Sequence, residues 1–149
     1  MTQEKRNKVI KSHTNIEQSK KLAEVLPLES ADMTWEQVDL ITGDLAWEPL
    51  LGLDVAIKDN LFSYRNGYTI PCWSLAALLD ILIAKDFDPE TMFLRSTSDG
   101  RGTRLNNVWR LSVDRLDVDI SLRDIYADNL VDACVEMILR LNELNLLKL

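Results

Sequence analysis

One histidine, His13, and two cysteines, Cys72 and Cys134, are the only imidazole and thiol groups in this chain of 149 residues. A Ser-His-Asp or Cys-His arrangement would have to carry His13 from a polar N-terminal flank into a pocket. A zinc site draws about four Cys, His or carboxylate ligands at close local spacing, and the sequence offers no such spacing. No phosphate loop, dinucleotide fingerprint or HExxH motif occurs. Long apolar runs are missing as well. The longest, Trp73 to Ile83, is interrupted by Ser74 and Asp80 and is too short to span a bilayer. Residues 1–13 are charged and lack the apolar core of a signal peptide. These absences lead us to expect no catalytic residue, no metal, no cofactor and no membrane anchor.

What remains is the material of a globule. The hydrophobic content is 46% with four Trp, and the length suits one domain with a core that needs no staples. Two cysteines inside apolar patterns read as reduced, buried thiols, which places the protein in the cytoplasm. The net charge of -7 is uneven. Lys5, Arg6, Lys8 and Lys11 against Glu4 make residues 1–12 net positive by +3, leaving -10 for the rest. We read residues 1–12 as a flexible basic tail and residues 13–149 as the domain. An acidic body argues against broad contact with a nucleic-acid backbone.

The pattern predicts helices and strands in mixed order. Thr14-Asn15-Ile16-Glu17 has the form of a capping box, and Pro27 stops that helix near Leu26. Trp35 to Ile41 and Leu45 to Leu51 read as short strands about a Thr-Gly-Asp turn, with Pro49 confining the second to an edge. Leu61 to Arg65 and Tyr68 to Cys72 flank Asn66-Gly67, the preferred pair of a tight hairpin. Ser74 offers an N-cap for a helix from Leu75 to Ala84 whose only charge is Asp80, so burial on most sides is expected. Asp86 to Thr91 reads as a turn. Met92 to Ser96, Asn107 to Val113 and Val118 to Ile125 then read as an antiparallel meander with one wet face. A final helix opens at Asn129, with Asp132 in its first turn and Glu136 and Arg140 spaced as an i,i+4 pair. The expected architecture is a single α+β domain: a mostly antiparallel sheet packed in two layers against about three helices.

Three stretches, Glu17 to Met33, Ile70 to Leu79 and Tyr126 to Leu139, together resemble a group of small uncharacterised proteins encoded in prophages and mobile elements of gut Bacteroidetes. In that group the middle block looks like (I/L)-P-(A/C)-W-S-L before a Leu-rich helix, matched here by Ile70-Pro-Cys-Trp-Ser-Leu75. The last block looks like an Asp/Asn cap before a helix, and this chain departs from it at Leu130, where the group often carries Pro. The resemblance covers about a third of the chain. It implies a compact α+β fold and a mobile-element origin, and it carries no activity over.

Individual features favour structural roles. Trp73 is suited to fill the space between sheet and helix while Ser74 caps. Asp117 and Asp119 form a D-x-D at the start of a strand, suited to a turn and a wet face. Between Lys85 and Lys148 every basic residue is Arg, the side chain of planar, bidentate contacts. Arg101 and Arg104, in a Gly-flanked loop, are the best candidates among them for a partner contact. Trp35 and Trp47, in the acidic segment, are the other candidates, because binding energy concentrates in Trp, Tyr and Arg. The leading reading is a non-catalytic interaction protein, an accessory factor of a phage or mobile element that binds a protein partner. The opposite charges of its two candidate faces also allow a homodimer. Two alternatives stand behind it: an acidic decoy or inhibitor of a nucleic-acid-binding protein, and a small carboxylate-dependent enzyme.

Overall fold

The computed structural model describes residues 11–39, 45–51, 69–98, 101–116 and 124–147. Among these the chain order is α1 (Ile16–Val25), β1 (Met33–Asp39), β2 (Leu45–Leu51), β3 (Thr69–Cys72) and α2 (Leu75–Ala84). β4 (Asp88–Ser98), β5 (Arg104–Asp114), β6 (Ile125–Ala127) and α3 (Leu130–Glu143) complete it, with a 3-10 turn at Leu28–Ser30. The α+β class holds. The strands divide into two three-stranded antiparallel sheets, β2-β1-β3 and β4-β5-β6, where the sequence pattern suggested one. Residues 1–10 of the expected tail, the Thr42-Gly43-Asp44 turn, the Asn66-Gly67 hairpin with Leu61 to Arg65, and Asp117 to Leu122 all lie outside the described residues.

The first helix begins one residue later than Thr14-x-x-Glu17 suggests. Asn15 is the N-cap: it accepts from the Gln18 backbone N–H, and the Gln18 side chain accepts in return from the Asn15 N–H. Both tetrads fit the box pattern, and the tertiary structure chooses between them because Thr14 is needed elsewhere. Fully buried, Thr14 accepts at Oγ1 from the Trp73 N–H at 3.2 Å and lies 2.7 Å from Ser19 Oγ. Its own N–H donates to Trp73 O at 2.9 Å, and Leu75 N–H donates to Ser12 O at 3.0 Å. Residues 12–14 therefore run antiparallel to residues 73–75 as a short bridge. A hydroxyl that satisfies a buried backbone donor is worth more there than at a solvent-exposed cap.

The core is the space between α2, α3 and the β4-β5-β6 sheet, joined by the C-terminal half of α1. Leu22, Leu26, Trp73, Leu78, Leu82, Leu111, Met137, Ile138 and Leu141 fill it. The α2 helix turns out to be one-sided: Ala77, Leu78, Ile81 and Leu82 are buried, whereas Ala76, Asp80, Ala84 and Ile83 are exposed, Ile83 by 55%. Low polarity alone predicted burial on most sides; α3 and β4 cover only one side of the helix. The turn expected from Asp86 to Thr91 is shorter than that. Asp86 takes the left-handed backbone, φ 64°, and Asp88 and Pro89 already pair with Asp114 and Val113. Pro89 is tolerated because β4 is an edge strand and needs no N–H on its outer side. Both cysteines are free and buried. Burial pushes the Cys134 thiol up to about 12, and desolvation raises Cys72 despite hydrogen bonds from Thr14 and Ser19.

Two charged clusters fasten the layers. Asp132, whose backbone N–H is capped by Asn129 Oδ1, accepts at Oδ1 from Lys11 Nζ at 2.6 Å and from Gln18 Nε2 at 2.8 Å. Partial desolvation opposes ionisation, yet the hydrogen bonds from Lys11, Gln18 and Asn129 outweigh it and hold this carboxyl below its usual range. Lys11, assigned by sequence to the flexible tail, is thus tied to α3. Arg115 lies 4.5 Å over the Phe87 ring and donates to Lys85 O and Leu146 O. A cation placed where α2 and α3 end suits the negative ends of both helices.

Candidate functional site

The four residues singled out from sequence fall in two places. Trp35 and Trp47 share one face of the first sheet. Trp35 stands opposite Pro49, and Trp47 opposite Gln37, so the two are diagonal neighbours across β1 and β2. Both are half-buried. Trp35 has a structural task, because its Nε1 donates to Thr14 O at 3.1 Å and its ring meets His13 edge-on at 5.4 Å. Trp47, on the edge strand β2, lies farther from that anchorage. Arg101 and Arg104 are exposed; Arg104 opens β5 of the second sheet and Arg101 lies three residues before it. Gly102 between them has φ 88°, a conformation that a side chain would strain.

His13, Ser74 and Asp32 are also gathered, an arrangement that linear spacing did not foretell. Their hydrogen bonds serve the fold. Ser74 Oγ accepts from Ala77 N–H at the start of α2 and donates to Asp32 Oδ2, while Asp32 Oδ1 accepts from Ser74 N–H at 2.9 Å. The His13 ring instead bonds Ser12 Oγ through Nδ1 at 3.1 Å. Ser74 therefore acts as the expected cap, with Asp32 bracing it. Trp73, fully buried, donates from Nε1 to Ser30 Oγ at 3.0 Å and fills the junction as anticipated.

The feature that sequence reasoning missed is the exposed body of the β4–β5 hairpin. Phe93 is 46% exposed and Met92 42%. Phe93 stands opposite Trp109, the rings edge-on with centroids 5.3 Å apart. On the other face Met92 stands opposite Arg110, whose Nη2 lies 3.6 Å from Met92 Sδ. Arg110 also reaches Asp124 at 4.0 Å, a half-exposed pair of little energetic weight. Consecutive apolar residues in a strand point to opposite faces. Met92-Phe93-Leu94 was therefore the available signal: a hairpin cannot bury all three unless both of its faces are covered.

Charge is graded along this hairpin. Asp88, Glu90 and Asp114 sit at its base; Arg95, Arg101 and Arg104 sit toward its tip. Comparison with protein-family models, curated proteins and solved structures gives no match. Among the described residues no helix is long and apolar enough to cross a membrane.

Proposed function

We propose that this chain is a non-catalytic, cytoplasmic interaction protein that engages a protein partner through the β4–β5 hairpin. The observation that carries the reading is the exposed Phe93, edge-on to the half-buried Trp109, with Met92 and Arg110 on the opposite face. Aromatic residues, Met and Arg are the side chains enriched at the centres of protein interfaces. They project here from a paired strand, so little conformational freedom is lost on docking. The arginines at the tip supply a polar, positively charged rim suited to a partner with carboxylates around an apolar centre. Its resemblance to mobile-element proteins makes an accessory factor of a phage or mobile element the fitting context. Trp35 and Trp47 become secondary in this account, since the Trp35 indole is engaged with Thr14.

A photo-reactive phenylalanine analogue at position 93, in cells that carry the mobile element under phage induction, tests the proposal. The expected result is a discrete cross-linked species, distinct in mass from a dimer of this chain, that disappears when Met92 and Trp109 are changed to Ser. Serine at Ile83 on α2 and at Leu144, the residue that follows α3, both exposed and apolar, leaves it in place. Equal loss from the helix variants would refute the assignment to the hairpin.

A further inference from the structure

We infer that the outer edge of β4 pairs with a second copy of this chain, antiparallel and with Phe93 on the two-fold axis. This builds on the interaction reading of the same hairpin and names the first partner of its edge. Among the described residues β4 is an edge strand of its sheet. It pairs with β5 without a gap from Asp88 to Leu94 and, past Arg95 and the left-handed Asn107 (φ 55°), again from Ser96 to Ser98 in the same register, and Glu90, Thr91, Met92 and Phe93 are consecutively exposed. Among the described residues no strand pairs with the outer side of Asp88 to Leu94, and such an edge offers backbone donors and acceptors that natural sheets usually blunt with charged side chains, proline or bulges. β4 keeps its charges, Asp88, Glu90 and Arg95, and its one proline, Pro89, off the stretch from Thr91 to Leu94.

The residues select both direction and register. β4 runs from acidic, Asp88 and Glu90, to basic, Arg95, with Arg104 beside Ser98. Antiparallel pairing brings the acidic base of one copy to the basic tip of the other, whereas parallel pairing sets like charge against like. With Phe93 on the axis, Met92 stands opposite Leu94 of the second copy and Phe93 opposite its counterpart. The apolar residues thus meet at the centre. Asp88 then stands opposite Ser98 of the second copy, one strand from its Arg104. Moving the axis to Met92 or Leu94 puts Glu90 opposite Leu94, or Phe93 opposite Arg95, and breaks the apolar centre. The contact is isologous and closed. It joins the two sheets edge to edge and places the two Phe93–Trp109 faces side by side.

Cysteine cross-linking of the full chain reads the register directly. Opposed residues lie about 4.5–5.5 Å apart at Cα, within disulfide range. The Phe93→Cys chain should oxidise to a covalent dimer, and a mixture of Thr91→Cys with Arg95→Cys chains, which keeps Phe93, should form the heterodimer. Ser98→Cys alone should not, because its counterpart lies about 33 Å away along the strands. In sedimentation equilibrium at low salt, Arg95→Glu with Arg104→Glu should weaken self-association about tenfold. Adding Asp88→Arg and Glu90→Arg to that chain should recover it. A monomer at all concentrations, or cross-linking of Ser98→Cys as fast as Phe93→Cys, overturns the proposal. A photo-cross-link from position 93 at twice the chain mass reports this dimer and one at any other mass reports the partner of the hairpin face, so the two readings fail separately.

Discussion

Leu111 and Phe93 occupy the same face of the same hairpin, yet Leu111 is fully buried while Phe93 is 46% exposed. The difference lies in what covers them. α3 packs on β5 and β6, and among the described residues β6 pairs with Trp109 to Leu111. β4 lies beyond that cover: Thr91, directly opposite Leu111 on the same face, is exposed, as is Phe93 two residues along the same strand. Similar apolar chemistry serves stability on β5 and is left available for contact on the edge strand.

The comparison can be broken most severely in the core. Leu78→Ala or Ile138→Ala should each destabilise by about 2–5 kcal/mol in denaturant titrations, because both are fully buried. Leu79, only partly buried, should lose less than Leu78 on the same change. Equal losses at the two positions would contradict a one-sided α2.

Thr14→Val comes next, with an expected loss of about 1–3 kcal/mol, since it strips the buried Trp73 N–H and Ser19 of their partner. Asn15→Ala, which removes only the cap, should lose about 1 kcal/mol. A reversal of that order in thermal melts would return the cap to Thr14.

The pH limbs sharpen the account of the layers. The Asp132 carboxyl is depressed in the folded state. Its contribution is therefore present above the unfolded pKa of about 3.9 and is lost as pH falls through the folded value. Asp132→Asn should lower stability at neutral pH and flatten this acid limb. The Cys134 thiol is raised to about 12, so the sign reverses. Stability is intact below the unfolded thiol pKa of about 8.5 and declines as pH rises toward the folded value. Cys134→Ala should flatten the alkaline limb; parallel limbs in the variant and the parent would remove the buried thiol as its cause.

The smallest effect belongs to the open edge of the hairpin. Phe93→Ala should change stability by less than about 1 kcal/mol while impairing association. A loss as large as that of Ile138→Ala would mean that Phe93 belongs to the core.

Local chemistry by itself determined a good deal of this protein. Pro27 ends α1, Ser74 caps α2, and Asn129 with Asp132 opens α3, because each acts through neighbours within a turn. The period-two pattern set Leu111 and Val113 inward, and Pro49 lies on an edge strand as its missing N–H requires. The tertiary structure decided what depends on distant partners. It chose Asn15 over Thr14, drew Lys11 onto Asp132, and divided the strands between two sheets. It also decided which apolar residues remain in water. Hydrophobic patterning states that a side chain prefers cover; only the placement of the other layer determines whether cover reaches it, and at Phe93 it does not.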